Sequence, residues 1–245
     1  MKKNALLAMI ALASTTTMAG GFSAGVMTSY SPAVYLGADR NVVLFPMIGY
    51  EGEHLFLRGT SAGVGLLPLG SPLNVIFRAE YDPRALDPED SDDSDIKKLD
   101  ERKSGVLGGV TLQAVNSAGT FEATVGSDIA SNHNGIYAEA VWKKPFHYGF
   151  YGFTPEIGYA FNSDKLNNHL YGVSQAEAER TRFDAFDGGW SGQLFVGFNA
   201  YTHLTRNVRL VGSLRYSKLD SELADSPIIE NNDSVSGTLG IAYVF

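Results

Sequence analysis

The sequence predicts an all-β protein: a transmembrane, antiparallel, up-and-down β-barrel of about 12 strands, with about 10 as the other count that fits. Three observations predict it. Apolar side chains alternate with small or polar ones at period two along segment after segment. Aromatic residues (Tyr81, Trp142, Tyr216, Tyr243, Phe245) collect at segment ends, as in interfacial girdles. The segments reach about 9–11 residues, the length of a tilted strand that crosses a bilayer.

The first 19 residues read as a cleaved secretory signal peptide, with Lys2 and Lys3, an apolar run from Ala5 to Ala13, and the small-residue site Thr17-Met18-Ala19. The run is too short for a membrane helix, which needs about 20 apolar residues, and no later segment supplies one. Residues 20–245 are then a single barrel domain. The absence of cysteine excludes a disulfide framework in this exported chain. A net charge of −8 argues against nucleic acid as a partner. With 27 Gly, 14 Phe and 12 Tyr, and a mean hydropathy near zero, the chain is too polar for a helical membrane protein and too aromatic for a disordered one.

In chain order, strands are expected at 21–30, 42–50, 54–58, 62–69, 73–82, 104–115, 120–129, 135–143, 149–161, 191–202, 206–218 and 235–245. Directions alternate consistently only if His54 to Leu69 is two short strands turning near Arg58 to Ser61. In Leu73 to Tyr81 the apolar set Leu73, Val75, Phe77, Ala79, Tyr81 opposes Asn74, Ile76, Arg78, Glu80. Phe121, Ala123 and Val125 oppose Glu122 and Thr124, and Ile136, Ala138, Ala140 and Trp142 oppose Tyr137, Glu139, Val141 and Lys143. The strand at 149–161 sets Tyr151, Phe153, Ile157 and Tyr159 against Glu156, and 206–218 sets Leu210 and Leu214 against Arg209 and Arg215. A soluble sandwich also alternates. A barrel in lipid explains the charges better, because Arg78, Glu80, Glu122, Glu139, Lys143, Glu156, Arg209 and Arg215 would all point into the lumen. Facing lipid at mid-depth, an Arg or Lys would cost about 2–4 kcal/mol.

Short connections (Glu51 to Glu53, Gly70 to Pro72, Asn116 to Gly119, Lys144 to Tyr148, His203 to Arg206) fall at one end and long ones (82–104, 161–189, 219–234) at the other. These are expected to be the periplasmic and external ends. The last strand, "GTLGIAYVF", closes on the first and places Phe245 in the periplasmic girdle. It also resembles the C-terminal signal, here Tyr243 and Phe245, that the barrel-assembly machinery reads.

Three blocks resemble the MipA/OmpV family of Gram-negative outer-membrane proteins: "SPAVYLGADRNVVLFPMIGYEGEHLFLRG" at 31–59, "LYGVSQAEAERT" at 170–181 and "YSKLDSELADSPIIENNDSVSGTLGIAYVF" at 216–245. The resemblance implies an outer-membrane location, among lipid and lipopolysaccharide, and a scaffold or interaction role in the cell envelope. In some members the partners are a lytic transglycosylase and a murein synthase, in others host matrix. It implies no catalytic residue and no cofactor. A narrow, porin-like channel for small solutes is the alternative, since mixed-sign inward charges could form either a closing zipper or a selective constriction.

The acidic run "DPEDSDDSD" is read as a solvated, mobile external loop. Asp90, Asp92, Ser94 and Glu101 fit positions of an EF-hand loop, but Asp95 stands where glycine is required, so they are weak metal candidates. Asp225-Ser226-Pro227 reads as a structural turn. No nucleophile elbow occurs, and Ser131 and His133 sit in the turn-like run "SNHNG", so no enzymatic activity is expected.

Overall fold

The computed structural model describes residues 21–31, 33–38 and 41–245. The leader expected over 1–19 lies outside the described residues. Thirteen strands form one closed antiparallel sheet: β1 (Gly21–Ser31), β2 (Asn41–Glu51), β3 (Leu55–Arg58), β4 (Ser61–Gly65), β5 (Leu73–Asp82), β6 (Gly105–Asn116), β7 (Gly119–Asp128), β8 (Ile136–Lys143), β9 (Phe146–Tyr148), β10 (Tyr151–Asn162), β11 (Ser191–His203), β12 (Val208–Leu219) and β13 (Asp233–Val244). Each strand pairs with its neighbours in sequence, except that β8 and β9 do not pair with each other and both pair with β10. β13 returns to pair with β1 in the register Ser23↔Val244 to Tyr30↔Gly237, so the first and last strands close the ring.

The ring has twelve spans, because β8 and β9 are two halves of one. β8 pairs with Glu156–Asn162 of β10 and β9 with Tyr151–Phe153. Pro145 interrupts the ladder between them, having no N–H to give. The turn expected over Lys144 to Tyr148 is therefore corrected: three of those residues are strand, and the reversal comes at Gly149, whose φ of 57° suits glycine. The two short strands expected between His54 and Leu69 are β3 and β4, although β4 stops at Gly65.

Alternation sorts the wall into two faces. Val26, Leu44, Leu73, Phe77, Leu112, Phe121, Val125, Ile157, Leu194, Leu214, Leu239 and Ile241 all project outward and are exposed. In a barrel set in a bilayer, this apolar face is the one that meets hydrocarbon. Opposite them, two apolar groups fill parts of the interior: Met27, Met47, Val211 and Ala242, and, across the barrel, Val141, Ala160 and Phe195. The Phe195 ring lies over Gly158, where an added Cβ would meet it at 2.4 Å and the Ala140 carbonyl at 2.6 Å. Gly158→Val is therefore expected to destabilise the barrel by about 1–3 kcal/mol, as overpacking does. The check is the midpoint of urea-driven unfolding in detergent, and an unchanged midpoint would show that the ring moves aside freely.

The short connections and both ends of the described chain share one end of the barrel. There the aromatic rings pair up: Phe22 with Tyr50 (centroids 4.7 Å apart), Phe146 with Phe153 (5.0 Å), Tyr148 with Tyr151 (5.4 Å) and Tyr243 with Phe245 (4.9 Å). Phe245 is also tied by its backbone N–H to the Phe22 carbonyl at 2.9 Å. The long connections crowd the opposite end and carry three short helices, α1 (Asp164–Tyr171), α2 (Gln175–Ala178) and α3 (Ser221–Ala224).

Candidate functional site: the capped mouth and the charged interior

The long loops build a hydrophobic core of their own. Leu86, Ile96 and Leu99 from the first, Leu166, Leu170, Tyr171, Val173 and Phe183 from the second, and Leu223, Ile228 and Ile229 from the third pack around Tyr35 in one buried cluster. Backbone bonds lace the segments together: Leu36 N–H to the Ile228 carbonyl (3.0 Å), Glu230 N–H to Val34 (2.9 Å), and Asp92 N–H to Gly37 (2.8 Å). The Tyr35 hydroxyl donates to the Leu170 carbonyl at 2.9 Å, and Ser226 Oγ to the Tyr171 carbonyl at 2.7 Å. Ser226 thus pins the turn expected at Asp225-Ser226-Pro227 against α1.

Glu177 is the cap's electrostatic joint. It is the N3 residue of a capping box on α2: its carboxylate accepts from the Ser174 N–H and Oγ, both at 2.8 Å, while Ser174 Oγ accepts from the Glu177 N–H. The other carboxylate oxygen accepts from the Asp100 N–H at 3.0 Å and from Arg102 at 3.3 Å. Arg102 also donates to the Gly172 carbonyl at 2.7 Å. Burial alone would raise the Glu177 pKa, but these donors hold it below the usual value. One carboxylate so fastens the first long loop to the second.

The acidic run is tied to the cap through Ser91, the Asp92 N–H, Asp93 and Asp95, which corrects the expectation of a mobile loop, while Glu89, Asp90, Asp92 and Ser94 keep their side chains exposed to solvent, as expected. Two of its charges, Asp93 and Asp95, pair with one arginine. Arg182 donates to Asp93 Oδ2 at 2.5 Å and to Asp95 at 2.9 Å, and its hydrogen bonds hold the Asp93 carboxyl down to about 2. That interaction persists as pH falls past 3.8 and is lost only as it approaches 2. Asp90, Asp92, Ser94 and Glu101 do not converge on a point. Two 3-10 turns, Pro88–Asp90 and Ile96–Lys98, break the register, and no group of three or more metal-type ligands exists among the described residues.

His133, in the β7–β8 connection, faces His169 of the cap helix α1, with ring centroids 5.1 Å apart. His133 Nδ1 accepts from the Gly135 N–H at 2.9 Å, and His169 Nε2 meets the Lys103 carbonyl at 3.0 Å, so both rings fit as Nε2–H tautomers. Burial is the main force holding both below the ordinary 6.5. A lowered folded pKa means that the unfolded cap takes up protons first. Cap stability should be complete above 6.5 and fall as pH drops below it. Limited proteolysis of the long loops from pH 7.5 to pH 5 checks this, and His133→Asn should flatten the profile.

Below the cap, the inward charges meet in pairs. Arg78 bonds Glu80 at 2.6 Å, Lys143 bonds Glu122 at 2.9 Å, and Arg215 lies 3.5 Å from Glu139. Glu156 accepts from Asn199 at 3.3 Å, and Arg209 sits 5.1 Å over the Tyr201 ring. The Arg215 guanidinium stacks 3.5 Å above Phe195. Tyr137 donates to Glu139 at 2.5 Å and packs against both the cap core and the Phe195 group, so the filling runs unbroken from cap to interior. The structure thus places all eight charged residues on the interior face, most of them already partnered. The cap was the part missed, although Ser174-x-x-Glu177 was a legible capping-box signal.

The family model for MltA-interacting protein MipA matches residues 24–245. The chain belongs to the MipA family. Among relatives, YiaT of Escherichia coli (strain K12), named for the outer membrane, is 29% identical over 241 residues, covering 98% of this chain and 97% of its own. The MltA-interacting protein of the same strain is 28% identical over 226 residues, covering 92% and 91%. An outer membrane channel from Pseudomonas putida F1 aligns over 97% of this chain and 100% of its own at 12% identity, with a TM-score of 0.42. As a MipA-family barrel, the protein resides in the outer membrane.

Proposed function

We propose that this MipA-family barrel is an interaction protein of the cell envelope, closed to axial diffusion at its outer mouth, that docks a murein transglycosylase of the MltA type at its periplasmic end. The observation that carries the reading is the packed core over the mouth, continuous through Tyr137 with the filled interior. A pore would gain nothing from burying Leu166, Leu223 and Ile228 completely at its entrance. The name of the E. coli relative supplies the partner class. The periplasmic end offers what a docking face needs, exposed aromatic anchors set among polar turns, with Phe150 at a tip and 65% exposed.

The test is retention of a purified MltA-type transglycosylase on the refolded, immobilised full chain in detergent. Binding is expected, and Phe150→Ala is expected to weaken it by roughly tenfold or more, the loss of a buried aromatic anchor, without changing the barrel's heat-modifiable mobility. Absence of binding at micromolar concentrations would remove the docking reading and leave the narrow small-solute channel as the alternative.

A further inference from the structure

The barrel wall is not hydrogen-bonded all the way around at every height. β2 pairs with β1 along its whole length, from Gly21↔Glu51 to Ser31↔Asn41. On its other edge β3 pairs only with Gly49, Tyr50 and Glu51, and the last bond there runs from the Gly59 N–H to the Ile48 carbonyl at 3.1 Å. The β3–β4 hairpin turns at Gly59 and Thr60, and Thr60 passes the ladder on to Tyr81 of β5. Above that turn, among the described residues, no strand or bridge pairs with the free edge of residues 42–47.

Backbone polar groups of successive strand residues point to alternate edges. Ile48 points toward β3, so Val42, Leu44 and Pro46 point into the gap. Their side chains project outward, and Val42 and Leu44 are 71% and 73% exposed, against 59% for Leu112 and Val125 on doubly paired strands, because a flanking strand is missing. The gap therefore offers two N–H donors, from Val42 and Leu44, and three carbonyl acceptors. An added β-strand is a poor occupant. Proline at position 46 removes the third donor, the device that keeps sheet edges from pairing. Behind the hairpin lie paired charges of both signs, Arg58 just before its turn reaching back to Glu51 and Arg78 with Glu80 beside its tip.

We propose that this lateral gap beside β2, above the turn of the β3–β4 hairpin, is a binding site for an amphiphile carrying an amide-linked acyl chain. The tail lies along Val42, Leu44 and Ile48 in the acyl phase. The amide C=O accepts from a backbone N–H of the edge and the amide N–H donates to one of its carbonyls, which an ester linkage cannot do. A polar head faces the ion pairs inside. Since the outer mouth is capped, this is a sideways entry to the interior and is independent of any periplasmic partner.

The test uses the full chain in proteoliposomes with two photoreactive probes, an N-acylethanolamine carrying a diazirine in its acyl chain and the ester analogue of equal length. The amide probe is expected to label the peptides containing residues 42–48 and 58–61 roughly fivefold more than the ester, the worth of about one hydrogen bond. Equal labelling by both probes, or labelling spread evenly around the wall, would overturn the proposal. Leu44→Pro supplies the second arm, with Leu44→Ala as the control for the lost side chain. If the Leu44 N–H is free of the wall, Leu44→Pro assembles as well as Leu44→Ala and loses the preference for the amide probe. If Leu44→Pro alone fails to assemble, that N–H is part of the ladder and no gap exists.

Discussion

Glu177→Ala should release the outer cap while leaving the barrel assembled. The substitution leaves Arg102 buried without its counter-charge, with Nη1 already lacking a partner, and strips acceptors from Ser174 and Asp100. Removing one member of a buried pair costs about 3–5 kcal/mol. The cap's loops share few ladder bonds with the wall, so the loss should fall on the cap. Proteolytic nicking within 82–104 and 164–189 should become rapid, while heat-modifiable mobility and the β-signature in circular dichroism persist. Glu177→Gln retains an oxygen acceptor for the backbone donors and should do less harm. Equal resistance of all three proteins to nicking would show that the apolar contacts alone hold the cap.

Leu239→Arg should block stable assembly in the membrane. Leu239 projects from β13 at mid-span between Thr28 of β1 and Gly212 of β12, so no neighbouring carboxylate could neutralise an arginine there. An arginine at mid-depth costs about 2–4 kcal/mol, a large share of a typical folding stability. The fraction of chain reaching the heat-modifiable form in the outer membrane measures it. Val75→Arg on β5 should behave alike, whereas normal assembly of both would mean that this face does not meet lipid.

The wall was legible because lipid on one side and a polar interior on the other impose a two-residue rhythm that survives in every long strand, from Leu73–Asp82 to Asp233–Val244. Even the short β3 and β4 followed from the need for alternating directions. Pro145 misled, since proline marks both turns and interrupted strands, and only the pairing of Phe146–Tyr148 with Tyr151–Phe153 decides between them. The cap could not be read from periodicity at all. Its apolar residues are scattered singly among polar ones in three irregular loops, so Ile96 inside an acidic stretch looks incidental until Phe183 and Ile228 are brought to it. The consequence of a short β3 is likewise invisible in sequence, because an unpaired edge exists only once the neighbouring register is fixed.

Planar-bilayer recording of the refolded full chain tests the central claim most directly. A barrel capped by a packed core and filled by Tyr137, Phe195 and its ion pairs should insert and stay electrically silent. Steady, long-lived open steps from the intact protein would contradict it and make the charged interior a conduction path.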